Sequence, residues 1–244
     1  MSKRTQTDSL ALYPHPFSRA YWRDAALECT RMRSLAVAAL LCALAIVIEK
    51  FNIPLGSKDL QLSMSFLVIS LCSMLTGPVL AIPCGLVVDL IGIIGSPYAP
   101  HFGYTLTAVL TALVYALFLY RARPGFLRVL LAKGLVNVFI NTLMGSVWRI
   151  WPVNWYGFSY GYWVIYSGIK NLCFLPLEVF LICMLFRALH SPLKQMNFLT
   201  PESQIEYQKR NFVILTVCAL VGAALVIPFV IWYEQITDFV KGLF

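Results

Sequence analysis

The chain has 244 residues, 59% of them hydrophobic and only 12% charged, with a net charge of +8. An ordinary soluble domain is about a quarter charged, so this chain has too little polar surface to cover itself in water; its solvent must be lipid. The basic residues flank apolar runs, which is the charge pattern of a membrane protein in the bilayer and excludes nucleic acid as a partner.

Residues 1–33 are polar, basic and aromatic, carry no cleavable-signal pattern, and read as a tail. Apolar runs suited to spanning helices follow at 34–48, 62–75 and 79–94, the second and third separated by a Gly77–Pro78 turn. A loop at 95–103, holding Pro97 and Pro100, precedes the fourth run at 104–120. A basic turn at 121–125 precedes the fifth, 126–147, and the aromatic stretch 148–160 leads to the sixth, 162–186. A polar linker, 187–210, then reaches a seventh run, 212–233, which has no charge and one proline, Pro228. Helices are expected because backbone groups in lipid must be satisfied within the segment, and the sequence lacks the alternating strands of a β-barrel. About thirteen Lys and Arg fall on the side of the tail and about four on the other. The N-terminus is therefore expected in the cytoplasm, in a multi-pass protein of the cell membrane.

Asp89, Lys133, Lys170 and Glu178 fall inside these runs. Each costs about 2.5–3.5 kcal/mol at bilayer depth, so each needs a partner or a polar cavity. Lys133, Asn137 and Asn141 recur at every fourth position and share one face of the fifth run. Ser167, Lys170, Asn171, Phe174 and Glu178 stripe the sixth, and Tyr104, Thr107, Thr111 and Tyr115 the fourth. Such stripes either glue helices together or converge on a polar cavity open to the outside. Lys133 and Glu178 suit a structural pair, whereas Lys170 and Arg149 suit an anionic group. Trp148, Trp151, Trp155, Tyr156, Phe158, Tyr160, Tyr162 and Trp163 suit an interfacial belt or a lid stacked over a flat ligand. The alternation over 59–65 suits a short extended piece.

The seven cysteines contain no C-x-x-C and read as packing residues, not metal ligands. The chain has no G-x-x-x-x-G-K-[ST], no H-E-x-x-H and no G-x-S-x-G, and His15, His101 and His190 lie far apart. No catalysis, ATP hydrolysis or cofactor is expected of the chain itself.

The stretches Ser65-Phe-Leu-Val-Ile-Ser70, Leu75-Thr-Gly-Pro78 and Gly85-Leu-Val-Val-Asp89-Leu-Ile-Gly92 resemble the second and third helices of energy-coupling factor (ECF) transporter S components. Gly103-Tyr-Thr-Leu-Thr107-Ala, Asn141-Thr-Leu143 and Lys170-Asn-Leu-Cys-Phe-Leu-Pro176-Leu-Glu178 are similar to the folate-specific branch. The resemblance covers roughly 35–189. It implies an all-α integral membrane bundle with a six-helix substrate-binding domain at 34–190; the tail at 1–33, the cytoplasmic linker at 191–211 and the extra transmembrane helix at 212–234 come from hydropathy and charge, and the tail and the extra helix depart from the family's six helices. It further implies a non-catalytic subunit that captures folate on the outer side and works with a transmembrane coupling subunit and two ATPases. Lys170 and Arg149 would face the ligand's carboxylates; Asn141, Thr105, Thr107, Tyr104, Asp89 and Trp148 would hold its pterin. Ala39 and Ala43 match the family's Ala-x-x-x-Ala, whose small side chains let the first helix pack against the coupling subunit. There are two further departures. Ser167 and Gly168 stand where an Arg is expected one turn before the Lys, so that part of the anion clamp is either lost or replaced by Arg149, and His101 stands where an aromatic or Pro is usual. The alternatives are an S component for another vitamin or nucleobase-like ligand, and a stand-alone proton-coupled carrier; the lack of an internal repeat disfavours the carrier.

Overall fold

The computed structural model describes residues 12–13, 16, 18–51, 53–54, 61–94, 101–123, 125–151, 157–196, 198 and 209–242. In it the apolar runs are helices, packed as an all-helical membrane bundle.

The tail is not wholly a tail. It holds α1 (Arg19–Glu28), whose first turn is capped by the Ser18 hydroxyl accepting from the Tyr21 N–H at 3.2 Å. Tyr21, Ala25 and Glu28 repeat at helical spacing and turn inward. The Tyr21 hydroxyl donates to the Ala116 carbonyl at 3.1 Å, and burial pushes its pKa upward, so it stays a neutral donor. Arg121 adopts φ 46°, costly for a residue with a side chain. Its guanidinium donates to Asp24 at 2.7 Å and to Glu28 at 2.9 Å, holding the turn against α1.

Helix α2 (Met32–Lys50) ends before a two-residue antiparallel pair, β1 (Ile53–Pro54) and β2 (Gln61–Leu62), with Ile53 opposite Leu62. β2 falls in the stretch expected to be extended; Asp59 and Leu60 lie outside the described residues. The next element, α3 (Ser65–Ile93), is broken at Gly77, with φ 77° and ψ 172°. A straight helix would separate Cys72 from Cys84 by about 18 Å, yet their thiols lie within 4.8 Å. The chain therefore folds back at Gly77 into two legs. The positive φ calls for glycine, and Pro78 opens the second leg where a missing N–H is harmless.

Helix α4 (Phe102–Leu119) packs on the second leg. The fifth run is one rod, Phe126–Ile150, but not a regular helix. It comprises α5 (Phe126–Leu135), a π-helical stretch (Val136–Met144) and α6 (Gly145–Ile150). In the wide turn the Thr142 hydroxyl donates to the Asn137 carbonyl, five residues back, at 2.8 Å. Helix α7 (Tyr160–Gln195) runs past the expected end at 186 and through Pro192. Helix α8 (Lys209–Ile231) lies along α7, and α9 (Tyr233–Gly242), which the sequence reading did not anticipate, turns back against it.

Among the described residues, five helices are long and apolar enough to cross a membrane; α3 contributes two legs, which completes a six-run core. The apolar part of α8, Thr216–Ile231, is shorter. The main core joins Leu71 and Leu75 to Val129, Val136, Val179, Ile182 and Phe186. One end of the bundle carries α1 and Arg121; the opposite, aromatic end gathers the C-termini of α2, α3 and α6 and the N-termini of α4 and α7. There Lys50 donates to the Gly92 and Ile94 carbonyls at 2.7 and 3.0 Å, a cation on the C-terminus of α3.

Candidate functional site at the aromatic end

His101 caps α4. Its Nδ1 accepts from the Gly103 N–H at 3.0 Å, and its Nε2 lies 2.9 Å from the Trp151 carbonyl, two contacts that together call for the Nε2–H tautomer. The ring also meets Tyr104, Trp148 and Trp151 at 5.5, 6.1 and 6.4 Å, mostly edge-on. Trp148 lies directly on Gly103, where a Cβ would stand 2.2 Å from the indole Cδ2. Its Nε1 donates to the Thr107 hydroxyl at 3.1 Å, which donates to the Gly103 carbonyl at 2.9 Å. Trp155 and Tyr156, expected in the same aromatic stretch, lie outside the described residues.

Thr105 points the other way along α4, as a two-residue offset on a helix dictates. Its hydroxyl donates to Asp89 of α3 at 2.6 Å. On the far side, α6 presents Arg149 to α7. The guanidinium donates to the Ser167 hydroxyl at 2.7 Å and sits 4.6 Å from the centroid of the Trp163 ring. Lys170, half-buried, follows Ser167 by one turn.

Asn141 belongs to a different set. Its amide donates to Asn137 at 3.2 Å, and Asn137 donates to Glu178 at 2.7 Å. Glu178 accepts from Lys133 at 3.0 Å, so the expected structural pair forms. Asn171 joins by donating to Thr142 at 2.9 Å. This ladder binds the π-helical stretch to α7. Phe174 does not share it: its ring turns to Phe229 of α8.

The structure thus brings Tyr104, Thr107 and Trp148 together, places Asp89 with Thr105, sets Arg149 beside the Lys170 turn, and leaves Asn141 in the interhelical ladder. Among the described residues, the polar groups expected to line a hollow pair with one another. A small cavity does open, but between α2, α3 and α4, lined by Leu41, Ala45, Val68, Val88 and Ala112 with Cys42, Cys72 and Cys84. The three thiols lie within 4.8 Å of one another among apolar side chains, a gathering that spacing cannot reveal because they come from three separate legs. Ala39 and Ala43 are exposed on the outer face of α2 with Leu40, Leu44 and Val47. Sequence reasoning named Trp163 only as one of many aromatics; its four-residue spacing from Ser167 is the signal that both face Arg149.

No family model matches the chain. It is 31% identical over 111 residues to the folate transporter FolT of Clostridium novyi, covering 45% of this chain and 64% of that one. It is 30% identical over 157 residues to the folate transporter FolT of Leuconostoc mesenteroides, covering 60% of this chain and 80% of that one. The crystal structure of FolT bound with folic acid is similar at a TM-score of 0.56 and 29% identity, over 65% of this chain and 95% of that one. The chain therefore belongs to the FolT family, the folate-specific S components of energy-coupling factor transporters.

Proposed function

We propose that the chain captures folate at its aromatic end, on the outer side of the cell membrane, and delivers it through an ECF complex whose coupling subunit and two ATPases drive uptake. The observation that carries this reading is the Arg149 guanidinium held at Ser167, one turn from Lys170. With Lys170 it would supply the two cations of the anion clamp that the family resemblance calls for. A carboxylate replacing the neutral Ser167 hydroxyl would convert an ordinary hydrogen bond into a charge-assisted one, roughly twice as strong. The N-termini of α4 and α7 end nearby with their positive dipole ends toward the same region.

Asp89 supports the pterin half. Its carboxylate exchanges the Thr105 hydroxyl for pterin N–H donors, while His101, Tyr104, Trp148 and Trp151 offer ring faces. Because each polar group has a protein partner before the ligand arrives, none bears the cost of an unsatisfied buried group. With the basic α1 end in the cytoplasm, Ala39 and Ala43 present a low-relief stripe to the coupling subunit.

The test is titration of the purified chain in nanodiscs with folic acid, followed by intrinsic tryptophan fluorescence. Binding that weakens about 10–100-fold in Lys170→Ala and in Arg149→Ala, the loss of one hydrogen bond to a charged group each, supports the reading. Wild-type affinity in both variants contradicts it. Uptake into vesicles only when the partner subunits are present separates an ECF component from a solitary carrier.

A further inference from the structure

The two C-terminal helices, α8 and α9, pack back on α7. The solved relative is covered over 95% of its length by 65% of this chain, about the share occupied by α2 through α7. Helix α8 follows α7 closely: a Cβ at Gly222 would stand 2.8 Å from the Leu177 backbone nitrogen. Phe229, buried, meets Phe174 edge-on at 6.1 Å. Helix α9 then reaches the first turns of α7. Val240, fully buried, joins one cluster with Tyr162, Trp163 and Tyr166, and Ile236 packs against it. Trp163 is the ring on which the Arg149 guanidinium rests.

We propose that α9 is a ligand-retention element, with Val240 as a positioning residue that fixes Trp163 and, through it, Arg149. The inference rests on the reading of Arg149 as an anion-binding group for folate. An arginine carries large rotamer entropy, and a guanidinium already stacked on a fixed ring loses less of it on binding. A cation resting on a desolvated aromatic face is attracted to it, so mobility in the ring becomes mobility in the cation. Preorganisation of this kind is felt mostly in the dissociation rate. Arg149 stands on α6 and reaches across to Ser167 of α7, so its head group depends on what holds the Trp163 ring beside it.

The experiment uses the full chain in nanodiscs and follows folic acid dissociation and association by stopped-flow tryptophan fluorescence. Val240→Asp, which puts a charge into the cluster, is expected to speed dissociation about 10-fold and leave association within about twofold. Val240→Ile keeps the wild-type rate, and the milder Ile236→Ala gives a smaller change of the same sign. In an Arg149→Ala background Val240→Asp adds nothing, which a general loss of stability would not produce. Wild-type dissociation in Val240→Asp, or an undiminished effect without Arg149, overturns the relay while leaving folate binding intact. A wild-type chain that takes up no folic acid overturns both.

Discussion

The guanidinium of Arg149, on α6, lies 2.7 Å from the hydroxyl of Ser167, on α7. The family resemblance places an arginine at Ser167; here a serine occupies the position and a neighbouring helix delivers the cation to it. On the proposed reading the same head group reaches the same place from a different helix. Arginine allows this because its long stem spans between packed helices and its fork needs only one partner to be oriented.

If the two origins are interchangeable, Ser167→Arg should restore folic acid binding to Arg149→Ala. The single variant Arg149→Ala is expected to lose about 10–100-fold in affinity, and the double variant to regain most of it. Calorimetric titration of the three proteins checks this, and a double variant as weak as the single one would refute the exchange.

Asp89 and Thr105 should contribute unequally. Asp89→Asn removes the charge that pterin donors would meet and should cost about 10-fold or more in affinity. Thr105→Val removes only the partner that holds the carboxylate before binding, and should change affinity by about threefold or less. Equal losses in the two would argue that Asp89 serves α3–α4 packing alone.

Lys133 and Glu178, an ion pair between α5 and α7, are expected to serve packing and not binding. Glu178→Gln strands Lys133, fully buried and 3.0 Å away, and should destabilise the bundle by on the order of 3 kcal/mol. Replacing both together, Lys133→Met with Glu178→Met, should recover much of that stability. Thermal melts in detergent read the difference, and folic acid affinity is expected to stay within about threefold in the double variant.

Gly103→Ala tests the aromatic wall. The new Cβ would stand 2.2 Å from the Trp148 ring, which must move and release Thr107. A shift in tryptophan emission with weaker folic acid binding is the expected result; an unchanged spectrum would place Trp148 elsewhere.

Ala39→Leu with Ala43→Leu tests the face proposed for the coupling subunit. Both positions are exposed, so folic acid binding by the isolated chain should be retained while uptake in vesicles with the partner subunits falls. Undiminished uptake would move the interface off α2.

Hydropathy and charge spacing, which are properties of composition along the chain, determined the membrane bundle, its six-run core, the break at Gly77 and the presence of a seventh apolar run. The pairing of Lys133 with Glu178 was equally legible, because two opposite charges at bilayer depth have few other ways to be satisfied. Tertiary structure decided which of the other polar residues meet. The π-helical stretch brings the Thr142 hydroxyl to the Asn137 carbonyl, five residues back, and within reach of Asn171 of α7, a change of pitch that no residue spacing announces. Only the packing of α6 against α7 puts Arg149 on Ser167, and only the return of α9 brings Val240 to Trp163. Periodicity records what faces inward on one helix; which side chain stands opposite depends on how the helices are set against one another.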